Sequence, residues 1–511
     1  MTARGFLPRT SMNRRTFLGF GVGAAATVAL ASCAPAPTWI QPDSSQVRDA
    51  ERRRRGTGRV TNVTLTAARI ELDLAGVTAS TWAYGAVPAP VIRVGAGDTL
   101  KATVHNQLPT DTSIHWHGVA LRNDMDGVPP ITQQAVKGGS SFGYDFIAPD
   151  PGTYWFHPHT GVQLDRGLYG ALIVEDPAEP GRYDNEWVIV LDDWLDGVTA
   201  TPDKVLKELS AGMAGMGGMG DMFMRMGNAL MGATSDILAG DAGDVYYPYY
   251  LINGKPPADP SQFTGRPGDR IRLRIINAGS DTAFRLAIGG HALTITHTDG
   301  FPVNPVEVDS ILIGMGERYD ALLTLGDGIF PLVAQAEGKR DRGFALVRTA
   351  DATPPDRDVS LPELSSKRIG TTARVGTATK LTASKQVVLP ERRPDREISL
   401  ALTGSMDAYD WAINEQRFDM SRPLGNAYEV RSGERVRLTV TNKTTMWHPF
   451  HLHGHTFQHS DNGPRKDTSI ILPGRSLTVD FDADNPGLWV AHCHNLYHAE
   501  SGMMTVIGYS N

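Results

Sequence analysis

Residues His492 to Gly502 read His-Cys-His-Asn-Leu-Tyr-His-Ala-Glu-Ser-Gly, with Met503 next, and this segment limits the possible folds more than any other. Two imidazoles flanking a thiol are costly to bury without a metal. On an extended strand successive side chains point to opposite faces, so Cys493 faces one way while His492 and His494 face the other. One strand then serves two metal sites, and the fold must bring further donors to both of its faces. Cys493, His498 and Met503 supply soft sulfur, imidazole and weak thioether donors, the set of a blue-copper electron-transfer centre. A single cysteine and a separate soft site disfavour zinc.

The further donors come in pairs. His115-Trp116-His117-Gly118, His157-Pro158-His159 and His451-Leu452-His453-Gly454 each repeat the His-x-His spacing, which on a strand aims two imidazoles at one place. His448 precedes Pro449-Phe450-His451 and is free to join Cys493 and His498. Of the fifteen histidines, this leaves His105, His291, His297, His455 and His459, which are expected to be hydrogen-bonded or supporting residues.

These four motifs, in this order and split between the two ends of the chain, resemble those of the multicopper oxidases, the family of laccases and bacterial copper-efflux oxidases. The resemblance covers nearly all of the chain after its N-terminal segment and implies four coppers. It makes His448, Cys493 and His498 the type 1 ligands, with Met503 in the axial place. A Met there, rather than Leu or Phe, implies a lower type 1 potential. His115 and His451 match the type 2 ligands. The type 3 pair would take His117, His157 and His494 on one copper, and His159, His453 and His492 on the other. Electrons from a reducing substrate would enter at type 1, pass through the bonds from Cys493 to His492 and His494, and reduce dioxygen to water. Proton delivery needs a carboxylate. Asp126, eleven residues after His115, matches such an acid in copper-efflux relatives. A second family acid directly follows the last type 1 histidine. Ala499 stands there in this chain, and Glu500, one residue later, is the replacement candidate.

Length and composition agree with that fold. The 511 residues, rich in Gly and Pro and 21% charged, suit an all-β protein of about three domains. Val188–Leu191, Ile271–Ile276, Leu322–Leu325 and Val436–Val440 read as strands. Two sit in a repeated frame: Pro267-Gly-Asp-Arg-Ile-Arg-Leu-Arg-Ile-Ile-Asn277 resembles Ser432-Gly-Glu-Arg-Val-Arg-Leu-Thr-Val-Thr-Asn442, and Gly95-Ala-Gly-Asp-Thr-Leu-Lys-Ala-Thr-Val-His-Asn106 is a third copy. The repeat argues for three similar barrels, which in the family are cupredoxin-like Greek-key β-barrel domains. The expected boundaries are 58–178, 179–350 with a Met-rich insertion at 210–233, and 393–511, with a linker at 351–392.

The N-terminus looks like an export signal. Asn13-Arg14-Arg15-Thr16-Phe17-Leu18 precedes a mildly apolar run ending Leu30-Ala31-Ser32-Cys33, a twin-arginine motif joined to a lipobox over residues 1–33. Cys33 would carry the lipid and anchor the chain to a membrane, in the periplasm or at the cell surface. Residues 34–57, with Arg52-Arg53-Arg54-Arg55, read as a solvated tether. Loss of Arg4, Arg9, Arg14 and Arg15 by cleavage takes the formal net charge from −7 to −11. The resulting mildly acidic surface suits cations and gives no sign of nucleic-acid binding. A monomer is the expected assembly.

Met213, Met216, Met219, Met222, Met224, Met226 and Met231 crowd the insertion. Glycines between them work against a helix, and thioethers select Cu(I). Met446, two residues before His448, matches a substrate-copper ligand of some copper-efflux oxidases, but Thr444 stands where those relatives have an acid. The resemblance therefore implies oxidation of Cu(I), with Fe(II) and phenols as further donors, in copper detoxification. The alternatives are a laccase acting mainly on phenols and a copper-sequestering surface lipoprotein.

Overall fold

The three repeat copies become the same strand three times. Thr99–Asn106, Arg270–Asn277 and Arg435–Asn442 each lie between a parallel neighbour (Val60–Asp73, Asn185–Trp194, Arg396–Thr403) and an antiparallel one (Ser141–Ile147, Arg318–Thr324, Ser476–Asp482). In the first and third copies alternate residues turn inward, burying Leu100, Ala102 and Val104, and Val436, Leu438 and Val440, as period-two patterning requires. Each copy ends in a buried asparagine that closes the same corner. Asn106 Nδ2 donates to the carbonyls of Thr110 and Val136, Asn277 Nδ2 to Thr282 and Ile313, and Asn442 Nδ2 to Met446 and Ile471.

The computed structural model describes residues 37–179, 181–212, 223–349 and 374–511. Cys33, Met213, Met216, Met219 and Met222 lie outside the described residues. From Trp39 onward the chain forms one body built of three pairs of sheets: two four-stranded sheets, then two six-stranded sheets, then a six- and a five-stranded sheet. The fold is all-β with three alike units, as the repeats predict, and cupredoxin-like, as the resemblance implies. The histidine motifs lie on strands of the first and third pairs: His115–His117, Gly152–His157, His448–Leu452 and Leu488–Cys493. Strand register sets His115 opposite His157, and His451 opposite His492, so both pairs of neighbours present imidazoles to a shared space.

The middle copy differs because it is buried along nearly its whole length. Its polar residues therefore need partners. Arg272 and Arg274 both reach Asp320, and they also pair with Glu179 and Glu186 respectively. Thr153, from the first sheet pair, donates to Asp320 Oδ1 at 2.6 Å. Beside this junction Gly152 lies so close to Gly300 that a Cβ would overlap its backbone.

Two expected connectors are structured. The solvated tether contains a helix, Ser45–Arg53, capped by Ser44 and docked through buried Val47. Arg54 leaves solvent to pair with Glu51 and to donate to Asn485 at 3.1 Å. Glu51 also accepts the Ile147 amide, so apolar burial and satisfied charge outweigh the run of arginines. The linker, over its described part, adds strand Val375–Gly376 parallel to Ser310–Ile311, and Gln458 accepts the Leu389 amide. It serves as packing as well as reach.

Burial opposes ionisation of Asp320, but the charges of Arg272 and Arg274 outweigh it and hold the carboxyl at about 2, below its ordinary 3.8. Such a group stabilises the fold above the unfolded pKa, and its contribution is lost as pH falls from about 4 to about 2. Asp320→Asn should therefore weaken the protein near neutrality by about 2 kcal/mol and flatten its loss of stability between those pH values. Thermal unfolding across a pH series checks both.

Candidate copper centres

Strand Leu488–Cys493 runs into a short helix, Leu496–Ser501, capped by Asn495. The turn between them brings His498 back beside Cys493. Cys493 Sγ lies 3.5 Å from His448 Nδ1 and 3.7 Å from His498 Nδ1, and the two Nδ1 atoms are 3.1 Å apart. The far side of each ring is already engaged. His448 Nε2 meets Thr444 Oγ1, and His498 Nε2 meets Asp244 Oδ2, both at 2.8 Å. Those partners put the ring protons on Nε2 and leave three donors converging: two Nδ1 lone pairs and one sulfur. Met503 is fully buried beside them, its carbonyl accepting the Cys493 amide at 3.1 Å. Trp411 covers His498 with ring centroids 4.2 Å apart.

The other eight histidines meet at the seam between the first and third sheet pairs. Three groups hold their donor atoms within 4.8 Å of one another: His115, His117 and His451; His117, His157 and His494; and His159, His453 and His492. The second and third are the two triads expected for type 3, while the first joins the expected type 2 pair, His115 and His451, to His117 of a type 3 triad; all are buried. Burial holds His117, His157, His159, His453, His492 and His494 well below the ordinary histidine pKa, so these rings are neutral ligands rather than cations.

Their orientations fit a metal and little else. His453 Nδ1 meets Asp126 Oδ2 at 3.0 Å and His492 Nδ1 donates to the Cys493 carbonyl at 2.7 Å. Their Nε2 lone pairs consequently face each other across 3.2 Å, a repulsive contact unless a cation sits between them. A tetrahedral metal with bonds of about 2 Å has donor edges of about 3.3 Å. Among the described residues, Nε2 of His115, His157 and His451 and Nδ1 of His117 are buried without a hydrogen-bond partner, and His494 has none on either nitrogen. Unpaired buried polar atoms are costly, and this cluster of them points inward. Imidazole-only donors beside a Cys-His-His site suit copper.

Asp126 bridges the groups. Besides His453 it lies 3.1 Å from His115 Nδ1 through Oδ1, and its carbonyl accepts at 2.9 Å. Ala499 is buried among apolar residues. Glu500 lines a cavity of about 20 Å³ with His157, His159, His492 and His494, and burial pushes its carboxyl up to about 7. Four of the remaining histidines are hydrogen-bonded as expected: His105 meets Ser141, His291 the Gly289 carbonyl, His297 Thr296, and His455 both the His453 carbonyl and the Tyr509 hydroxyl; the fifth, His459, has Nε2 buried without a partner among the described residues. His459 is buried, and burial lowers it to about 3.

Two functional neighbours escape a reading of the sequence, Asp244 and Asp467, and a third residue, Thr444, has a role on His448 that such a reading misses. Thr444 occupies the acid's place yet still holds His448. Asp244 comes from the middle sheet pair, far from any motif. Asp467 is fully buried, meets His117 Nε2 at 3.1 Å, accepts the His451 Nδ1 proton on its carbonyl at 2.9 Å, and takes two bonds of 2.7 Å from Arg318. Its only sequence signal is its place in Arg465-Lys466-Asp467-Thr468. Asp467→Ala should leave the buried Arg318 with Asp299, at 3.6 Å, as its remaining carboxylate partner, costing about 3 kcal/mol, and should take the carboxylate from His117 Nε2 while the carbonyl that accepts from His451 stays. A lowered unfolding midpoint and a copper content below that of the parent protein are the expected measurements.

Comparison with known proteins agrees with the geometry. Multicopper oxidase family models match residues 66–179, 185–351 and 391–511. The chain is 46% identical to multicopper oxidase MmcO of Mycobacterium tuberculosis, over 97% of this chain and 96% of that protein. It is 30% identical to copper resistance protein A of Escherichia coli, over 82% and 87% of the two chains. The laccase of Botrytis aclada superposes with a TM-score of 0.71 at 24% identity, covering 94% of this chain and 93% of that one, which bears on the fold alone. Family models spanning all three sheet pairs, together with a complete set of buried donors, establish that this chain belongs to the multicopper oxidase family and is an oxygen-using oxidoreductase of four coppers.

Proposed function

We propose that this oxidase takes its electrons from Cu(I) and serves copper detoxification, working as a lipid-anchored monomer outside the cytoplasm. The coppers supply one-electron transfer and the four-electron reduction of dioxygen, so that four Cu(I), four protons and one dioxygen give four Cu(II) and two waters. His448, Cys493 and His498, with Met503 beside them, would hold type 1. His115 and His451 would hold type 2, and the two remaining triads type 3. Cys493 is bonded through the backbone to His492 and His494, which gives a short covalent path between the sites.

The observation that carries the choice of Cu(I) is the seat of the methionine-bearing hairpin. Met224–Met226 pairs with Ala229–Met231, setting Met224 opposite Met231. The hairpin lies along the segment that holds Asp244: Leu230 donates to the Asp244 carbonyl at 2.8 Å, and Ala229 bridges Val245. The same segment bridges Met446 through Asp241. The methionine-bearing hairpin and Met446 thus lie along the stretch that carries the carboxylate on His498, and thioethers are ligands that select Cu(I). The name of the copper resistance relative supports the same reading. Asp126, which touches the His115 and His453 rings, and Glu500 are the proposed proton-relay carboxylates. Glu500, raised by burial to about 7, is close to half protonated near neutrality and would release a proton toward the histidine cavity.

Export rests on the twin-arginine motif and Cys33. Among the described residues no helix is long and apolar enough to cross a membrane. Cys33→Ser should move the protein from the membrane fraction to the soluble envelope fraction.

Oxygen uptake with chelated Cu(I), Fe(II) and a phenol tests the substrate. Replacing Met224, Met226 and Met231 together by Leu, or deleting residues 210–233, should lower Cu(I) turnover about tenfold, equivalent to about 1.4 kcal/mol, and spare the phenol. Unchanged Cu(I) turnover with faster phenol oxidation would make the hairpin a lid and the protein a laccase. Copper binding by the segment without dependence of turnover on it would favour sequestration.

A further inference from the structure

The middle sheet pair contributes no donor to any of the four copper groups, yet it carries a buried cluster pressed against type 1. Lys339, with its side chain 1% exposed, is tied to Asp281, which is fully buried. Its Nζ donates to Asp281 Oδ2 at 2.7 Å, Thr282 Oγ1 at 2.9 Å, the Asp281 carbonyl at 3.1 Å and the Val245 carbonyl at 3.3 Å. A lysine so enclosed needs acceptors for its ammonium protons, and these four oxygens supply them.

Asp281 passes this anchoring in two directions. One branch reaches Asp244: the amides of Asp244 and Val245 each donate to Asp281 Oδ2 at 3.0 Å. That fixes the backbone from which the Asp244 carboxylate meets His498 Nε2. The other branch reaches the helix on which His498 stands. Asn495 Nδ2 donates to Asp281 Oδ1 at 2.6 Å, while Asn495 Oδ1 accepts the amides of Tyr497 and His498 at 3.1 and 3.3 Å. The Leu496 amide also donates to the neighbouring Ser280 carbonyl at 3.0 Å. Asp193 holds this carboxylate-bearing turn in place by accepting the Ser280 and Asp281 amides.

We propose that Asp281, anchored by Lys339, is a positioning residue for type 1: one carboxylate fixes both the ring edge of His498, through Asp244, and its backbone, through Asn495. Oδ2 takes Lys339 and the Val245 amide, Oδ1 takes Asn495, and the Asp244 amide is shared between them at 3.0 and 3.2 Å, so both oxygens must accept and an amide cannot replace them. Asn at 281 keeps one acceptor but turns an NH₂ toward either Asn495 Nδ2 or the two amides, and leaves Lys339 without its counter-charge. The ligand ring would then be free to rotate relative to Cys493, and the thiolate–copper overlap that gives the blue colour depends on that angle. This inference rests on the type 1 assignment but on no particular substrate.

The test compares copper-loaded full-length protein with Asp281→Asn, Lys339→Met and Asn495→Ser. Serine preserves the helix cap but drops the bond to Asp281. The readouts are the blue thiolate band, the type 1 hyperfine splitting in electron paramagnetic resonance, the type 1 midpoint potential, and the rate at which a chelator strips type 1 copper. All three variants should change the band, the splitting and the potential and speed copper loss severalfold, with the type 3 absorption intact. Should Asp281→Asn fail to fold, the other two carry the same readouts. Variants that lower the unfolding midpoint yet keep the parent's type 1 spectrum, potential and copper retention would overturn the proposal by reducing the cluster to a structural role. A parent protein without any type 1 signal would instead refute the assignment of the site.

Discussion

Arg318 and Asp467 form the contact on which the copper-binding seam depends. Arg318 belongs to the middle sheet pair and Asp467 to the third, and through His117 the same carboxylate touches the first. A buried ion pair is seldom a net source of stability, because desolvation takes back most of the attraction. Here every remaining valence is used. Arg318 Nε donates to the Thr153 carbonyl, Asp299 accepts the amides of Arg318, Asp467 and Thr468, and Lys466 pairs with Asp299 and Glu317. Such a network has one arrangement in which all its members are satisfied, and that arrangement fixes the sheets in the register that brings eight imidazoles together.

The histidines themselves oppose this assembly until a cation arrives. Burial lowers the pKa of His117, His157, His159, His451, His453, His492 and His494, and bonds to Asp126, Asp467 and backbone carbonyls choose which nitrogen carries the proton in several of the rings, so lone pairs converge. Glycine makes the crowding possible. A Cβ at Gly316 would press on His494 and His117, and one at Gly454 would overlap the Trp489 ring; both residues have positive φ, 83° and 63°. The scaffold thus stores an arrangement that is unfavourable alone and favourable around metal.

The two kinds of site are supported differently. The eight-histidine seam is braced by charges from the neighbouring sheets, whereas type 1 is braced by Thr444 on one ring and by the middle sheet pair on the other. That division follows from geometry. The first and third sheet pairs supply strands, and strands deliver ligands in alternating pairs. The middle pair, freed of ligands, supplies loops and buried charge. Its Asp244 segment also meets the methionine hairpin, so the supports of His498 and the proposed point of substrate entry share one stretch of chain.

The sequence determined the chemistry and the repeat. Alternation across Cys493 implied two sites back to back, His-x-His spacing identified the donors, and the three copies ending at Asn106, Asn277 and Asn442 announced three alike folding units. These are local properties, set by the two-residue period of a strand and by fixed turns, so they survive in one dimension. Asp467, Asp244 and Asp281 were illegible because an acidic residue in a loop looks like any other until its neighbours are known, and their partners lie 350, 254 and 214 positions away. The arginine run at 52–55 likewise suggested solvent, since nothing local tells that Glu51 and Asn485 receive Arg54. Ligand identity was written into the chain by side-chain periodicity, whereas ring orientation, proton placement and the clamp on His498 were decided only when distant sheets packed and each buried polar atom had to find a partner.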